Sequence, residues 1–210
     1  MIVAGVLLAG GLSRRMGGGD KSLRVLAGAT ILERVIARAR SQVVALVLNA
    51  NGDPARFEDY GLPVVADSIP DFAGPLAGVL AGLDWAAASV AGATHVASFA
   101  TDAPFLPANL VARLADAVKD GRHDLACAAS DGRSHPVFGL WPLALREDLR
   151  AALGAGMRKV DQWTARHRLA VVEFAARPYD PFFNANTPDD LSEGERVSRA
   201  ADAARRTVPG

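Results

Sequence analysis

Fourteen residues near the start of the chain, Leu8-Ala9-Gly10-Gly11-Leu12-Ser13-Arg14-Arg15-Met16-Gly17-Gly18-Gly19-Asp20-Lys21, combine bare backbone with positive charge. Gly10 and Gly11 carry no side chains, so backbone N–H groups there can approach a phosphate chain directly. Gly17, Gly18 and Gly19 permit a second sharp turn, and Arg14, Arg15 and Lys21 add cations. A triphosphate needs such charge most where its leaving group turns negative. Arg15 and Lys21 fit that task, whereas Arg14 reads equally as a solvated surface arginine. Two better-known glycine loops are excluded. A Walker loop needs Gly-x-x-x-x-Gly-Lys-Ser/Thr, and a dinucleotide fingerprint needs Gly-x-Gly-x-x-Gly opening a helix; neither frame is present.

A second group of polar residues stands where apolar runs end. Asp102 follows His95–Ala100 and precedes Pro104. A carboxylate there can share a magnesium ion with phosphate oxygens, or serve as a turn-former before proline. Asn49 ends Val43–Leu48 and Asp67 ends Leu62–Ala66, so both read as edge residues beside the first loop or as turn and cap residues. Asn184 and Asn186 flank Ala185, so their carboxamides can share one face and enter a cleft, or fix the start of the next helix. His135, before Pro136, is either a contact for a phosphate group or a structural histidine at a strand start. The lone Cys127 lies in the apolar run Leu125–Ala129 and reads as a buried strand residue.

The elements that position these residues alternate in type. Strands are expected at Ile2–Leu8, Val43–Leu48, Leu62–Ala66, His95–Ala100, Leu125–Ala129, Val137–Trp141 and Ala170–Phe174. Between them run helical patterns. Thr30-Ile31-Leu32-Glu33 has the spacing of a capping box ahead of the stripe Ile31, Leu32, Val35, Ile36 and Ala39. Leu76, Val79, Leu80 and Leu83 repeat the stripe after Pro75, as do Leu110, Val111, Leu114 and Val118 after Pro107. Thr187-Pro188-Asp189-Asp190 supplies an N-cap, a proline at the first helical position and first-turn carboxylates. The alternation predicts an α/β chain: a three-layer α/β/α, Rossmann-like fold with a mostly parallel central sheet. Residues 130–183 are less regular and have room for an antiparallel excursion that builds a second pocket. One domain is expected over 1–191, with a surface helix or disordered tail over 192–210.

Composition bounds the function. Lys plus Arg and Asp plus Glu both number 23, so no whole-molecule field attracts nucleic acid or membrane, and any anion site must be local. One cysteine excludes an internal disulfide and a multi-cysteine metal cluster. The apolar start lacks a basic flank and is broken by Gly10, Gly11 and two arginines, which leads to a cytoplasmic expectation.

The run Leu-Ala-Gly-Gly-x-x-x-Arg-Met-Gly-Gly-x-Asp-Lys resembles the signature of molybdenum cofactor guanylyltransferases, the MobA family, within the wider group of sugar-phosphate-type nucleotidyltransferases. The resemblance continues in order through Leu48-Asn49-Ala50-Asn51, Asp67-Ser68, Gly74-Pro75-Leu76-Ala77-Gly78, Thr101-Asp102-Ala103-Pro104, His135-Pro136 and Asn184-Ala185-Asn186-Thr187-Pro188. It implies that GMP passes from GTP to molybdopterin, Mo-loaded in the cell, with Mg2+ as cofactor and diphosphate released. It further implies that Leu8, Ala9, Gly10, Lys21, Asn49 and Asp67 contact the nucleotide, to which the loop reading adds Gly11, that Asp102 holds the metal, and that Asn184 and Asn186 lie near the acceptor and phosphates. A molybdopterin phosphate is already anionic, so alignment and neutralisation, not proton removal, are the catalytic demand. The rivals are transfer of CMP to the same pterin, a sugar-1-phosphate nucleotidyltransferase, and a non-catalytic adaptor that delivers cofactor. Contact with molybdoenzymes or other cofactor-biosynthesis proteins would suit a fragile product. Met157 and Trp163 are one place to look for such docking, although their helical spacing is more often that of a core.

Overall fold

A computed structural model of the chain describes residues 1–9, 21–69, 74–185 and 187–206. Its main sheet has seven strands: β1 (Val3–Leu8), β4 (Leu46–Asn49), β5 (Val64–Val65), β6 (His95–Ala100), β7 (Leu125–Ser130), β8 (Arg133–Pro142) and β9 (Leu169–Phe174). They lie in the order β5-β4-β1-β6-β8-β7-β9, and a two-strand ribbon, β2 (Val25–Leu26) and β3 (Ala29–Thr30), stands apart. Every pair in the main sheet is parallel except the two made by β8. The antiparallel excursion expected after residue 130 is therefore this one strand. Its cause is local: Asp131 (φ 49°) and Gly132 (φ 72°) turn the chain directly from β7 into β8, and a hairpin can only give antiparallel neighbours.

Alternate residues of β1 face opposite ways, which divides the core between two layers. On one face Val3 and Leu7 pack with α1 (Ile31–Arg40) and α3 (Leu110–Val118). On the other, Ala4 and Val6 pack with α2 (Pro75–Ser89), α4 (Arg146–Gly154) and α5 (Val160–Thr164). Burial on both sides explains why the central strands read as nearly continuous apolar runs. The predicted capping box forms: Thr30 Oγ1 accepts from Glu33 N at 3.1 Å, and Glu33 Oε2 accepts from Thr30 N at 2.5 Å. Thr187 and Asp190 make the corresponding exchange at the start of α6 (Pro188–Arg206).

Three local expectations shift. Val43 and Val44 precede β4 instead of joining it, and Val44 is exposed. β8 begins at Arg133, so His135 lies inside a strand. Trp163 is core: fully buried, it faces Trp141 at 5.8 Å and donates from Nε1 to Asp148 at 2.9 Å, while Met157 packs half-buried against the same cluster. Among the described residues no helix is long and apolar enough to cross a membrane.

Candidate active site

Parallel strands end together, and here three ends are level: Leu8 pairs with Asn49 on one side and with Ala100 on the other. The polar residues that follow those strands are thereby carried to one sheet edge. This is where open α/β sheets place ligands, outside the carboxyl ends of the strands.

One half of the edge is a carboxamide–carboxylate network. Asn49, 2% exposed, donates from Nδ2 to Asp67 Oδ1 at 3.0 Å and to Val65 O at 3.3 Å. Asn51 donates to Asp67 Oδ2 at 2.8 Å and accepts from Asp67 N at 2.9 Å. Both oxygens of Asp67 are thus fixed, yet each keeps a lone pair for a further donor. Ser68 bonds Asp84 of α2 at 2.6 Å, and Arg150 of α4 holds that same carboxylate, so the turn is tied to two helices.

The start of α2 closes on this network. Gly74, at φ 143°, takes a backbone conformation that L side chains rarely adopt, and Pro75 supplies the first helical residue. Gly78 then lies against the edge. A methyl group there would overlap Asn49 Oδ1 and come within 2.7 Å of Leu8. The helix amides at this end point to the same edge and favour an anion.

Asp102 occupies the middle of the edge and is half-buried. Burial raises its pKa above the usual carboxylate range; its own backbone hydrogen bond and the charge of Lys21 pull it partly back. Lys21 lies in the short helical turn Lys21–Leu23, close enough for its charge to act on the carboxyl of Asp102, which follows β6. Asp102 O also accepts Ala185 N at 2.9 Å, which fixes the segment carrying Asn184 beside it; Asn184 itself is exposed. Gly10, Gly11, Arg14, Arg15 and Asn186 lie outside the described residues.

The other half is shaped by a break in pairing. β6 and β8 pair from His95↔Pro142 to Ala97↔Leu140 and no further, although β6 runs on to Ala100. Ser98, nearly fully buried, fills the widening: its hydroxyl donates to Val137 O at 2.5 Å and accepts from Gly139 N at 3.2 Å and Trp141 Nε1 at 2.7 Å. In β8 the register jumps from Gly139 to His135 between Cys127 and Ala128, a bulge that takes in Pro136, a residue unable to donate to the ladder. The ladder between β6 and β8 therefore stops short of the edge where Asp102 and the start of β8 lie.

Asn51, Ser130 and Asp180 also take part in these networks, and Ser130 and Asp180 have no signal of their own in the sequence motifs. Asn51 was legible as a second carboxamide two residues after Asn49. Ser130 and Asp180 are 50 positions apart and bonded at 2.9 Å, a pairing that no local pattern encodes.

Residues 5–170 match the family described as MobA-like NTP transferase domain. A relative from Bradyrhizobium sp. (strain ORS 278), named molybdenum cofactor guanylyltransferase, is 59% identical over 95% of each chain. Among solved structures, molybdopterin-guanine dinucleotide biosynthesis protein A from Archaeoglobus fulgidus superposes with a TM-score of 0.72 at 23% identity, over 94% of this chain and 99% of the other. A Mycobacterium tuberculosis protein in complex with manganese gives a TM-score of 0.66 at 18% identity, over 93% and 99%. At these identities the structural matches establish the fold, while the sequence matches cover nearly the whole length. The chain is a member of the MobA-like nucleotidyltransferase family, in the branch of the molybdenum cofactor guanylyltransferases.

Proposed function

We propose that this chain transfers GMP from GTP to molybdopterin, forming the guanine dinucleotide cofactor and releasing diphosphate. The observation that carries the reading is the half-buried Asp102 at the carboxyl edge, under the influence of the Lys21 charge and on the same edge as the Asn49–Asp67–Asn51 network. Gly10, Gly11 and Arg15 complete the phosphate cradle, together with Leu8 and Ala9 at the end of β1. Asp67 reads the base: guanine presents a ring N–H and an amine side by side, a match for two carboxylate oxygens. Cytosine presents an amine beside a bare ring nitrogen, which would face the second oxygen unpaired. Asn49 and Asn51 hold Asp67 in that pose.

Among the described residues no three His, Cys, Asp or Glu side chains converge as a metal cluster. A single poorly solvated carboxylate, Asp102, suits an ion that takes its other ligands from phosphate and water, which is the habit of Mg2+. Bound there, a divalent ion would neutralise charge on the transferring phosphate. The manganese in the mycobacterial neighbour supports a divalent site on this fold.

An acceptor phosphate oxygen forms the new bond to the α-phosphorus while the bond to diphosphate breaks; no proton has to leave. Lys21 and Arg15 align two anions that would otherwise repel and offset the negative charge on the departing diphosphate. Asn184 and Asn186 flank the acceptor phosphate. The cytoplasm is the proposed location, and the apoenzymes that receive the product are the proposed protein contacts. Purified protein incubated with Mg2+, molybdopterin and each NTP in turn tests the reading: diphosphate and dinucleotide should form with GTP. Preference for CTP would move the chain to cytidylyl transfer, and tight NTP binding without turnover would make it an adaptor.

A further inference from the structure

His135, Ser130 and Asp180 form a polar cluster, on the same sheet edge as Asp102, that the transfer chemistry leaves unused. Ser130, 1% exposed, ends β7, and His135 begins the adjacent stretch of β8, so both stand on the same sheet edge as the ends of β1, β4 and β6. Ser130 Oγ lies 2.7 Å from His135 Nε2 and donates to Asp180 Oδ1 at 2.9 Å. Asp180 Oδ1 also accepts from Phe182 N at 3.0 Å. From Asp180 the chain runs five residues to Ala185, whose N–H bonds Asp102 O. One short segment thus joins the histidine cluster to the central carboxylate. Five residues reach at most about 17 Å, a gap of small-molecule size.

The proton positions follow from counting donors. A serine hydroxyl has one hydrogen, and an ionised carboxylate can only accept. With that hydrogen spent on Asp180, His135 Nε2 must be the donor to Ser130. The neutral imidazole is then protonated at Nε2 and bare at Nδ1. Nδ1 has no hydrogen bond among the described residues and is not sealed from solvent. The buried ring of Phe182, 4.7 Å away, fixes the orientation of the imidazole. The charged groups facing it are Asp180, Glu173 and Arg133; burial outweighs the two carboxylates and lowers its pKa, which keeps it neutral near pH 7.

We propose that His135 is an acceptor-recognition residue, held by Ser130 and Asp180 so that its bare Nδ1 accepts an N–H of the acceptor's heterocyclic ring. The proposal rests on the transferase reading, since it places the acceptor across Asp102 from the nucleotide. It departs from the sequence-based expectation of a phosphate contact. A bare imidazole nitrogen and a phosphate oxygen are both acceptors, and they repel. The ring end of the acceptor belongs at His135, and its phosphate belongs with the cation of Lys21.

The test uses the full chain and 6-hydroxymethylpterin, a heterocycle without phosphate, titrated by fluorescence with Mg2+ and a non-hydrolysable GTP analogue present. His135→Phe keeps the packing on Phe182 and removes Nδ1. Pterin affinity should fall about tenfold, the worth of one hydrogen bond, with the GTP-analogue affinity and melting temperature unchanged. His135→Asn, which returns an acceptor near Nδ1, should recover part of the loss. Wild-type pterin affinity should weaken as falling pH protonates Nδ1, and the Phe variant should not follow. NMR of 15N-histidine protein at neutral pH should show the proton on Nε2. Equal pterin affinity in wild type and His135→Phe, no pterin affinity in the wild type, or a proton on Nδ1 would each overturn the assignment. Failure of the transferase reading shows elsewhere: wild type that binds pterin but makes no diphosphate from GTP and molybdopterin.

Discussion

Asp102 illustrates how much a single position depends on its surroundings. In the sequence it is an aspartate before a proline; in the fold it is a half-buried carboxylate with raised pKa beside Lys21. Asp102→Asn keeps the shape and removes the charge. We expect kcat to fall about a thousandfold or more, the kinetic equivalent of losing several kcal/mol of charge stabilisation, with circular dichroism and melting temperature close to wild type. Lys21→Ala should also lower turnover sharply, and unchanged kinetics would remove its proposed role. Asp67→Asn should raise the KM for GTP by about ten- to a hundredfold, the cost of losing a hydrogen bond to a charged acceptor. Cys127 behaves in the opposite way. It is 2% exposed, and burial pushes its thiol up to about 11 from 9.0. The native protein should resist maleimide at pH 7.5 and react once unfolded. As pH rises, the unfolded thiol ionises from about 9 and the folded one only near 11, so the contribution of this group to stability is lost across that interval.

At the scale of elements, the contact between α2 and the ends of β1 and β4 shapes the edge proposed for the nucleotide. The helix approaches so closely that a Cβ at Gly78 would overlap Asn49 and Leu8, and one at Gly82, one turn later, would overlap Val6. Gly78→Ala inserts a methyl group where Asn49 Oδ1 already sits, and Asn49 cannot move without releasing Asp67. We expect a loss of about 1–3 kcal/mol in unfolding free energy, the usual cost of overpacking, together with a raised KM for GTP; denaturant titration and initial rates measure the two. The expected helix stripes and caps are present because they depend on neighbours three and four residues away. The bulge in β8 was not expected, because it follows from the meeting of β6, β7 and β8 and the need to satisfy Ser98 between them.

For the whole molecule, the single antiparallel strand divides the sheet into two functional halves. The groups proposed for the nucleotide lie where β5, β4 and β1 end, those proposed for the acceptor where β8 and β7 meet, and Asp102 follows β6 between them. Balanced charge over the chain means that binding of both anions is a local matter. Removal of divalent ions with EDTA should abolish transfer and leave the fold unchanged, because no described residues form a structural metal cluster. Restored Mg2+ should return activity in full. A loss of secondary structure with EDTA would instead give the ion a structural role.

By itself the sequence determined the alternation of strands and helices, the capping of α1 and α6, the burial of Cys127, and the edge on which Leu8, Asn49 and Asp102 lie. All of these follow from periodicities and from where apolar runs stop. The tertiary structure alone decided that Asn49 and Asn51 at the end of β4 clamp Asp67 beyond β5, that the pairing of β6 with β8 stops before the edge, and that Ser130 meets both His135 and Asp180. The physical reason is range. Hydrophobic period and capping are set within a few residues, whereas a hydrogen bond between groups 50 positions apart exists only after the sheet and its returning segment have packed.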